Sequence, residues 1–166
     1  MDFVTRIPAA TDIAALAALR EALWPEGDAA EHAAELHAVL QASGNFIVIA
    51  EANNKLIGFV EARLRSHADG CETSPVGYLE GWFVVDSWRG RGVGRALVQR
   101  FEEWAAAQGC RELASDTWLD NAASQRAHEK LGFQEVDRVI TYRKALDPDI
   151  ALGPHAQPPL TQPPGQ

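Results

Sequence analysis

The chain has 166 residues, 46% of them hydrophobic, which is enough for one domain with a real core. Its net charge of −8 argues against a nucleic-acid partner, whose phosphates require a basic face, and suits a cationic small molecule. No apolar run approaches the ~20 residues of a membrane span, and the N-terminus lacks the charged-then-apolar profile of a signal peptide. The two cysteines, Cys71 and Cys110, lack metal-ligand spacing, so a cytoplasmic chain with reduced thiols, no metal and no membrane contact is expected.

Residues 3–7 read as a short strand. Thr11 can cap a helix whose apolar face is Ile13, Leu16, Leu19 and Leu23, and Trp24-Pro25-Glu26-Gly27 ends it. Asp28 starts a second helix, with Glu31 three residues on as a capping box and Gly44 as a terminator. The apolar run 46–50 is a buried strand, and Asn53-Asn54 turns it into an alternating strand from Leu56 to Leu64. A polar loop over 67–75 leads to an apolar strand over 79–85. A glycine-rich stretch then opens a helix to about residue 107, with Val93, Leu97, Phe101 and Trp104 on one face. A strand over 112–117, a helix capped by Asp120 or Asn121 and stopped by Gly132, and a last strand over 136–144 complete the order. The fold class is mixed α/β (α+β), with a largely antiparallel front half. From Asp147 the composition changes: six of the nine prolines lie in 147–166. The chain therefore divides into a domain over 1–146 and a Pro-rich tail over 147–166.

The stretch 89–94, Arg-Gly-Arg-Gly-Val-Gly, is the chemical centre of the sequence. Glycines let backbone approach a ligand closely, and the unpaired N–H groups and dipole of a helix N-terminus favour an anion. Arg89, Arg91 and Arg95 add donors suited to phosphate. The stretch is not a P-loop, which needs Gly-Lys-Ser/Thr. Nor is it a Rossmann fingerprint, because Gly90, Gly92 and Gly94 are evenly spaced.

It does resemble the R/Q-x-x-G-x-G/A signature of the GNAT acetyltransferases, read as Arg89, Gly92 and Gly94. The approach Val84-Val85-Asp86-Ser87-Trp88-Arg89 resembles their V-x-P-x-Y/F-R, with Asp86 at the usual proline. Asn121, Ser124, His128 and Gly132-Phe133 resemble N-x-x-A-x-x-x-Y-x-x-x-G-F, with His128 in place of a tyrosine that often protonates the departing thiolate. Four phrases bring the chain closer to the bacterial aminoglycoside 6′-N-acetyltransferases of antibiotic resistance: Leu23-Trp24-Pro25, Tyr78-Leu79-Glu80-Gly81, Ala114-Ser115-Asp116-Thr117, and the run from Gly132 to Lys144.

The resemblance implies a central mixed, mostly antiparallel sheet, splayed at an acetyl-CoA site and flanked by about four helices. It implies acetyl-CoA as cosubstrate, with its pyrophosphate on Arg89, Gly90, Arg91, Gly92, Val93 and Gly94. Its pantetheine arm would lie along the backbone of Trp82, Phe83 and Val84 and against Asn121. Trp24, Glu80, Asp116 and Asp137 would contact the drug, with Glu80 and Asp116 as the catalytic carboxylates, in a homodimer. The tyrosine that this group carries before the counterpart of Cys71 is missing from the shorter loop 65–71. Plain structural roles compete at each position: Asn121 as a helix cap, Trp24 as core packing, Glu80, Asp116 and Asp137 as strand-face acids, and His128 as a helix residue. Two other functions fit the same motifs. One is acetylation of a different cationic amine, such as a polyamine or peptide amine. The other is a non-catalytic acyl-CoA-binding domain.

Overall fold

A computed structural model describes residues 2–146. The sheet has five strands in the order β1-β2-β3-β4-β5: β1 is Val4–Arg6, β2 Asn45–Ala52, β3 Lys55–Arg65, β4 Val76–Val84 and β5 Leu113–Ser115. The first four are antiparallel and β5 runs parallel to β4, which agrees with the expected mixed, mostly antiparallel sheet. Four helices flank it: α1 Ile13–Leu23, α2 Ala29–Gln41, α3 Val93–Ala107 and α4 Ala122–Lys130.

β2 is apolar on both faces because both faces are covered. Ile47 and Ile49, with Phe59 of β3, pack under α1 and α2 through Ile13, Leu16 and Leu36. Val48 and Ala50, with Val60 and Ala62, pack under α3 through Val93, Leu97, Val98 and Phe101. The hairpin turn is Asn53-Asn54, both with positive φ (50° and 57°), a conformation that Asn tolerates better than most residues. α2 carries the expected capping box: the Asp28 side chain accepts from Ala30 and Glu31 N–H, and Glu31 accepts from Asp28 N–H. α1 lacks a comparable cap. A single 3₁₀ turn, Ala10–Asp12, precedes it, and Asp12 spends its carboxylate on Arg6 and the Ala9 N–H instead.

The expected strand over 136–144 is not formed. Residues 133–146 have no regular secondary structure, and Val136, Val139, Ile140 and Tyr142 are all exposed. β-Branched and aromatic residues form a strand only where a sheet edge accepts them. Among the described residues the sheet ends at β5, of which just three residues pair. The Pro-rich stretch 147–166 lies outside the described residues.

Candidate active site

One irregularity in β4 organises the site. Glu61 pairs with Gly81 and Ala62 with Leu79, so Glu80 is an extra residue bulged out of the ladder. The bulge changes the alternation. Tyr78, Glu80, Gly81 and Phe83 take the α1–α2 side of the sheet, while Leu79 and Trp82 take the α3 side. One short segment thereby serves two sites on opposite faces.

On the α1–α2 side lies a cavity of about 690 Å³, lined by Trp24, Glu61, Arg63, Arg65, Tyr78, Glu80 and Asp116, with Arg20, Glu26, His32 and Glu35 behind them. Its volume suits a small-molecule site. Glu80 and Asp116, singled out on neighbouring strands, do meet in it, and Trp24 forms part of its wall. Trp24 is a core residue as well: its indole sits edge-on to Phe59, with centroids 6.1 Å apart, and rests on Gly81. A Cβ at Gly81 would come within 2.5 Å of that ring, so glycine is required there. Asp137 is not brought to this cavity. It lies in the exposed segment after α4, where its Oδ1 accepts from the Arg138 N–H at 2.6 Å.

Neither cavity carboxylate is bare. The Tyr78 hydroxyl donates to Asp116 Oδ1 at 2.6 Å. Burial, reinforced by this bond and the Asp116 charge, pushes the Tyr78 hydroxyl well above its ordinary value, so it remains a donor. Arg65 holds both oxygens of Glu80, at 2.8 and 2.9 Å from Nη2, and its guanidinium lies 3.2 Å from the centroid of the Tyr78 ring. Arg63 Nε reaches Glu80 Oε1 at 2.5 Å. Deeper in, Arg20 Nε lies 3.1 Å from Glu61 Oε2, and Arg20 Nη1 lies 3.2 Å from both Glu35 and the His32 carbonyl. Burial raises the Glu61 carboxyl above the usual range, against the pull of Arg20.

Motif reading missed Tyr78, Arg63, Arg65, Arg20 and Glu61. Position gave a usable signal for two of them. Arg20 follows Ile13, Leu16 and Ala17 on the buried stripe of α1, and Glu61 follows Phe59 on the inner face of β3. A charge in an apolar stripe needs a buried partner.

On the other side, β5 pairs only with Gly77, Tyr78 and Leu79, so beyond Leu79 one backbone edge of β4 faces a gap instead of a strand. Trp82, Phe83 and Val84 lie along that gap. Trp82 packs against Gly94, whose replacement would place a Cβ 2.7 Å from the indole, and its Nε1 is buried without a hydrogen-bond partner. The glycine loop follows as expected. Gly90 and Gly92 have φ of 72° and 85°, Gly92 caps α3 in the left-handed conformation, and a Cβ on either would meet nothing within 4 Å. The space above the loop is therefore open to a ligand. The first-turn N–H groups of Val93, Gly94 and Arg95 have no acceptor within the helix. An open cradle, helix N–H donors and an orphaned indole donor fit a pyrophosphate with a polar arm running from it along β4.

Arg89 is already engaged, since its Nε donates to the Val84 carbonyl and its Nη1 pairs with Asp86 at 2.9 Å. Asp86, in the place of a proline, thus pairs with the first arginine of the loop. Arg91 lies over Trp88, 5.4 Å from the ring centroid. Asn121 is the α4 cap, its Oδ1 accepting from Ser124 N–H at 3.0 Å. His128 bridges the helix and the gap. Its Nδ1 lies 2.8 Å from the Ser124 carbonyl and its Nε2 3.0 Å from Ser115 Oγ. A proton on Nδ1 satisfies the Ser124 carbonyl, and Nε2 faces the Ser115 hydroxyl, which also donates to the Leu79 carbonyl at 3.2 Å. Among the described residues no group of three or more His, Cys, Asp or Glu converges as metal ligands would.

A family model for the acetyltransferase (GNAT) family matches residues 14–133. A curated relative, the aminoglycoside N(6′)-acetyltransferase type 1 of Stenotrophomonas maltophilia, is 42% identical over 139 residues, covering 82% of this chain and 90% of the relative. Two crystal structures of the aminoglycoside N-acetyltransferase AAC(6′)-Iy, each 40% identical, superpose on it. The complex with CoA gives a TM-score of 0.84 over 87% of this chain and 96% of the other. The complex with the bisubstrate analogue CoA-S-monomethyl-acetylneamine gives 0.83 over 88% and 100%. The splayed sheet, the glycine loop at the head of α3 and these matches agree: the chain belongs to the acetyltransferase (GNAT) family and, within it, to the aminoglycoside N(6′)-acetyltransferases.

Proposed function

We propose that this protein transfers the acetyl group of acetyl-CoA to the 6′-amino group of aminoglycosides by direct attack of the amine. The observation that carries the reading is the meeting of Glu80 and Asp116 beside Trp24 in one cavity, on the far side of β4 from the glycine loop. A relative's bisubstrate complex joins the same two ligand classes in a single molecule.

Acetyl-CoA supplies an activated thioester, so the protein's tasks are to position the amine, accept its proton and stabilise charge on the carbonyl oxygen. The residues of 89–94 hold the pyrophosphate, and the β4 backbone of Trp82, Phe83 and Val84, where β5 no longer pairs with it, holds the arm together with Asn121. Asp116 and Glu80 anchor substrate ammonium groups, and Trp24 offers a flat wall for a sugar ring. Glu80 takes the proton of the attacking amine, directly or through water, its carboxylate kept in place by Arg65. Asp137 is not in the cavity of its own chain. Its segment leaves Val139, Ile140 and Tyr142 exposed, which supports a homodimer that covers them. Acetyl-CoA use supports a cytoplasmic location.

The test is thiol release from acetyl-CoA with paired aminoglycosides bearing a 6′-amine or a 6′-hydroxyl. Turnover of the amine and not of the hydroxyl is expected, and equal turnover would refute the regiochemistry. A monomer mass by light scattering at micromolar concentration would overturn the dimer.

A further inference from the structure

The acidity of the cavity is partly cancelled from within. Five carboxylates line it, from Glu26, Glu35, Glu61, Glu80 and Asp116, but three guanidiniums stand among them. Two of those share Glu80, and they hold it differently. Arg65 is built in: it grips both carboxylate oxygens, lies on the Tyr78 ring, and is only 31% exposed. Arg63, also on β3, is 53% exposed and reaches Oε1 through Nε. A bidentate, stacked arginine is costly to move, whereas an exposed one-point pair is weak and readily exchanged.

We propose that Arg63 is a displaceable internal counter-ion of Glu80, a specificity-determining residue that an incoming substrate ammonium must push aside. Arg65 stays in place and presents the carboxylate. The inference rests on the cavity being the aminoglycoside site. Arg63 thus acts as a discount on cation affinity, applied to the carboxylate that two arginines already hold. An ammonium that can replace a guanidinium with good geometry gains Glu80, while a poorly placed one leaves Arg63 where it is. The same charge at the cavity rim also opposes the steering of cations inward by the acidic protein.

The experiment is calorimetric titration of neamine into the unaltered protein, Arg63→Ala and Arg63→Lys, at low and at high salt. Arg63→Ala is expected to bind neamine about two- to five-fold more tightly at low salt, the range of an exposed ion pair, with the gain shrinking as salt rises. Arg63→Lys, which keeps the charge, is expected to stay within about two-fold of the unaltered protein. Steady-state KM for neamine should move in parallel. Unchanged or weaker binding by Arg63→Ala, where the unaltered protein does bind, overturns this inference alone. Absence of neamine binding by the unaltered protein overturns the substrate reading and this inference with it.

Discussion

Tyr78 donates its hydroxyl to Asp116 at 2.6 Å, tying β4 to the end of β5 where the two strands part. In the proposed function, the second carboxylate oxygen of Asp116 is the one that takes a substrate ammonium, and the bond to Tyr78 fixes where it points. Asp116→Asn removes a charged anchor and is expected to raise KM for aminoglycosides with a smaller effect on kcat, because a ground-state contact is lost. A charge-assisted hydrogen bond of about 1.5–3 kcal/mol sets the scale at roughly ten- to a hundred-fold in kcat/KM. Tyr78→Phe keeps the charge but frees its orientation, and should fall between the two. Steady-state kinetics on the three proteins check the order.

Arg65 has a role that Arg63 does not. It aligns Glu80, so Arg65→Ala is expected to lower kcat for neamine by about ten-fold or more, on the scale of one hydrogen-bonded charge. Glu80→Gln should lower kcat as well as raise KM. If Arg65→Ala instead lowered KM and left kcat alone, Arg65 would be a second counter-ion and not a positioning residue.

The glycine loop makes a separate prediction. Gly92 has φ of 85°, and its missing Cβ leaves open space above the head of α3. Gly92→Val is expected to abolish measurable CoA binding by calorimetry, since it strains the backbone and fills that space. Retention of full CoA affinity would place the cosubstrate elsewhere.

Much of this was legible from local rules. The hairpin at Asn53-Asn54, the capping box at Asp28 and Glu31 and the left-handed glycines of 90–92 each depend on neighbours a few residues away. The meeting of Glu80, Asp116 and Trp24 was legible through resemblance. The bulge at Glu80 was not, because it is a property of the β3–β4 register and not of either strand alone. Nor were the partners of Glu80 and Asp116, which lie 15 residues away at Arg65 and 38 away at Tyr78. The segment 136–144 carries the β-branched and aromatic residues of a strand, but composition does not say which sheet edge, or whose, receives it.

Stability should show the buried pair clearly. Arg20 and Glu61 are both nearly buried, so Glu61→Leu removes the buried carboxylate beside Arg20, leaves it the exposed Glu35 and the His32 carbonyl, and is expected to cost up to about 3 kcal/mol in denaturant unfolding. The double variant Arg20→Met with Glu61→Leu should recover most of that loss, because an apolar pair needs no charge compensation. Additive losses in the double variant would mean that the two residues act independently.

Acid stability should report Asp12. The hydrogen-bonded Arg6 guanidinium, aided by the Ala9 N–H, holds its carboxyl at about 2, below the ordinary value of 3.8. A depressed folded-state pKa contributes stability above the unfolded value and loses it as pH falls through the folded one. Asp12→Asn should therefore lower stability near neutrality and flatten the fall between about 3.8 and about 2, followed by thermal unfolding across that window.

The central claim is acetyl transfer to one particular nitrogen. Neamine incubated with acetyl-CoA and the protein, with the product analysed by NMR, tests it most directly. The account requires a single acetyl group on the 6′-nitrogen, released in step with one equivalent of CoA thiol. Acetylation at a ring amine, or thiol release without an acetylated neamine, would contradict it.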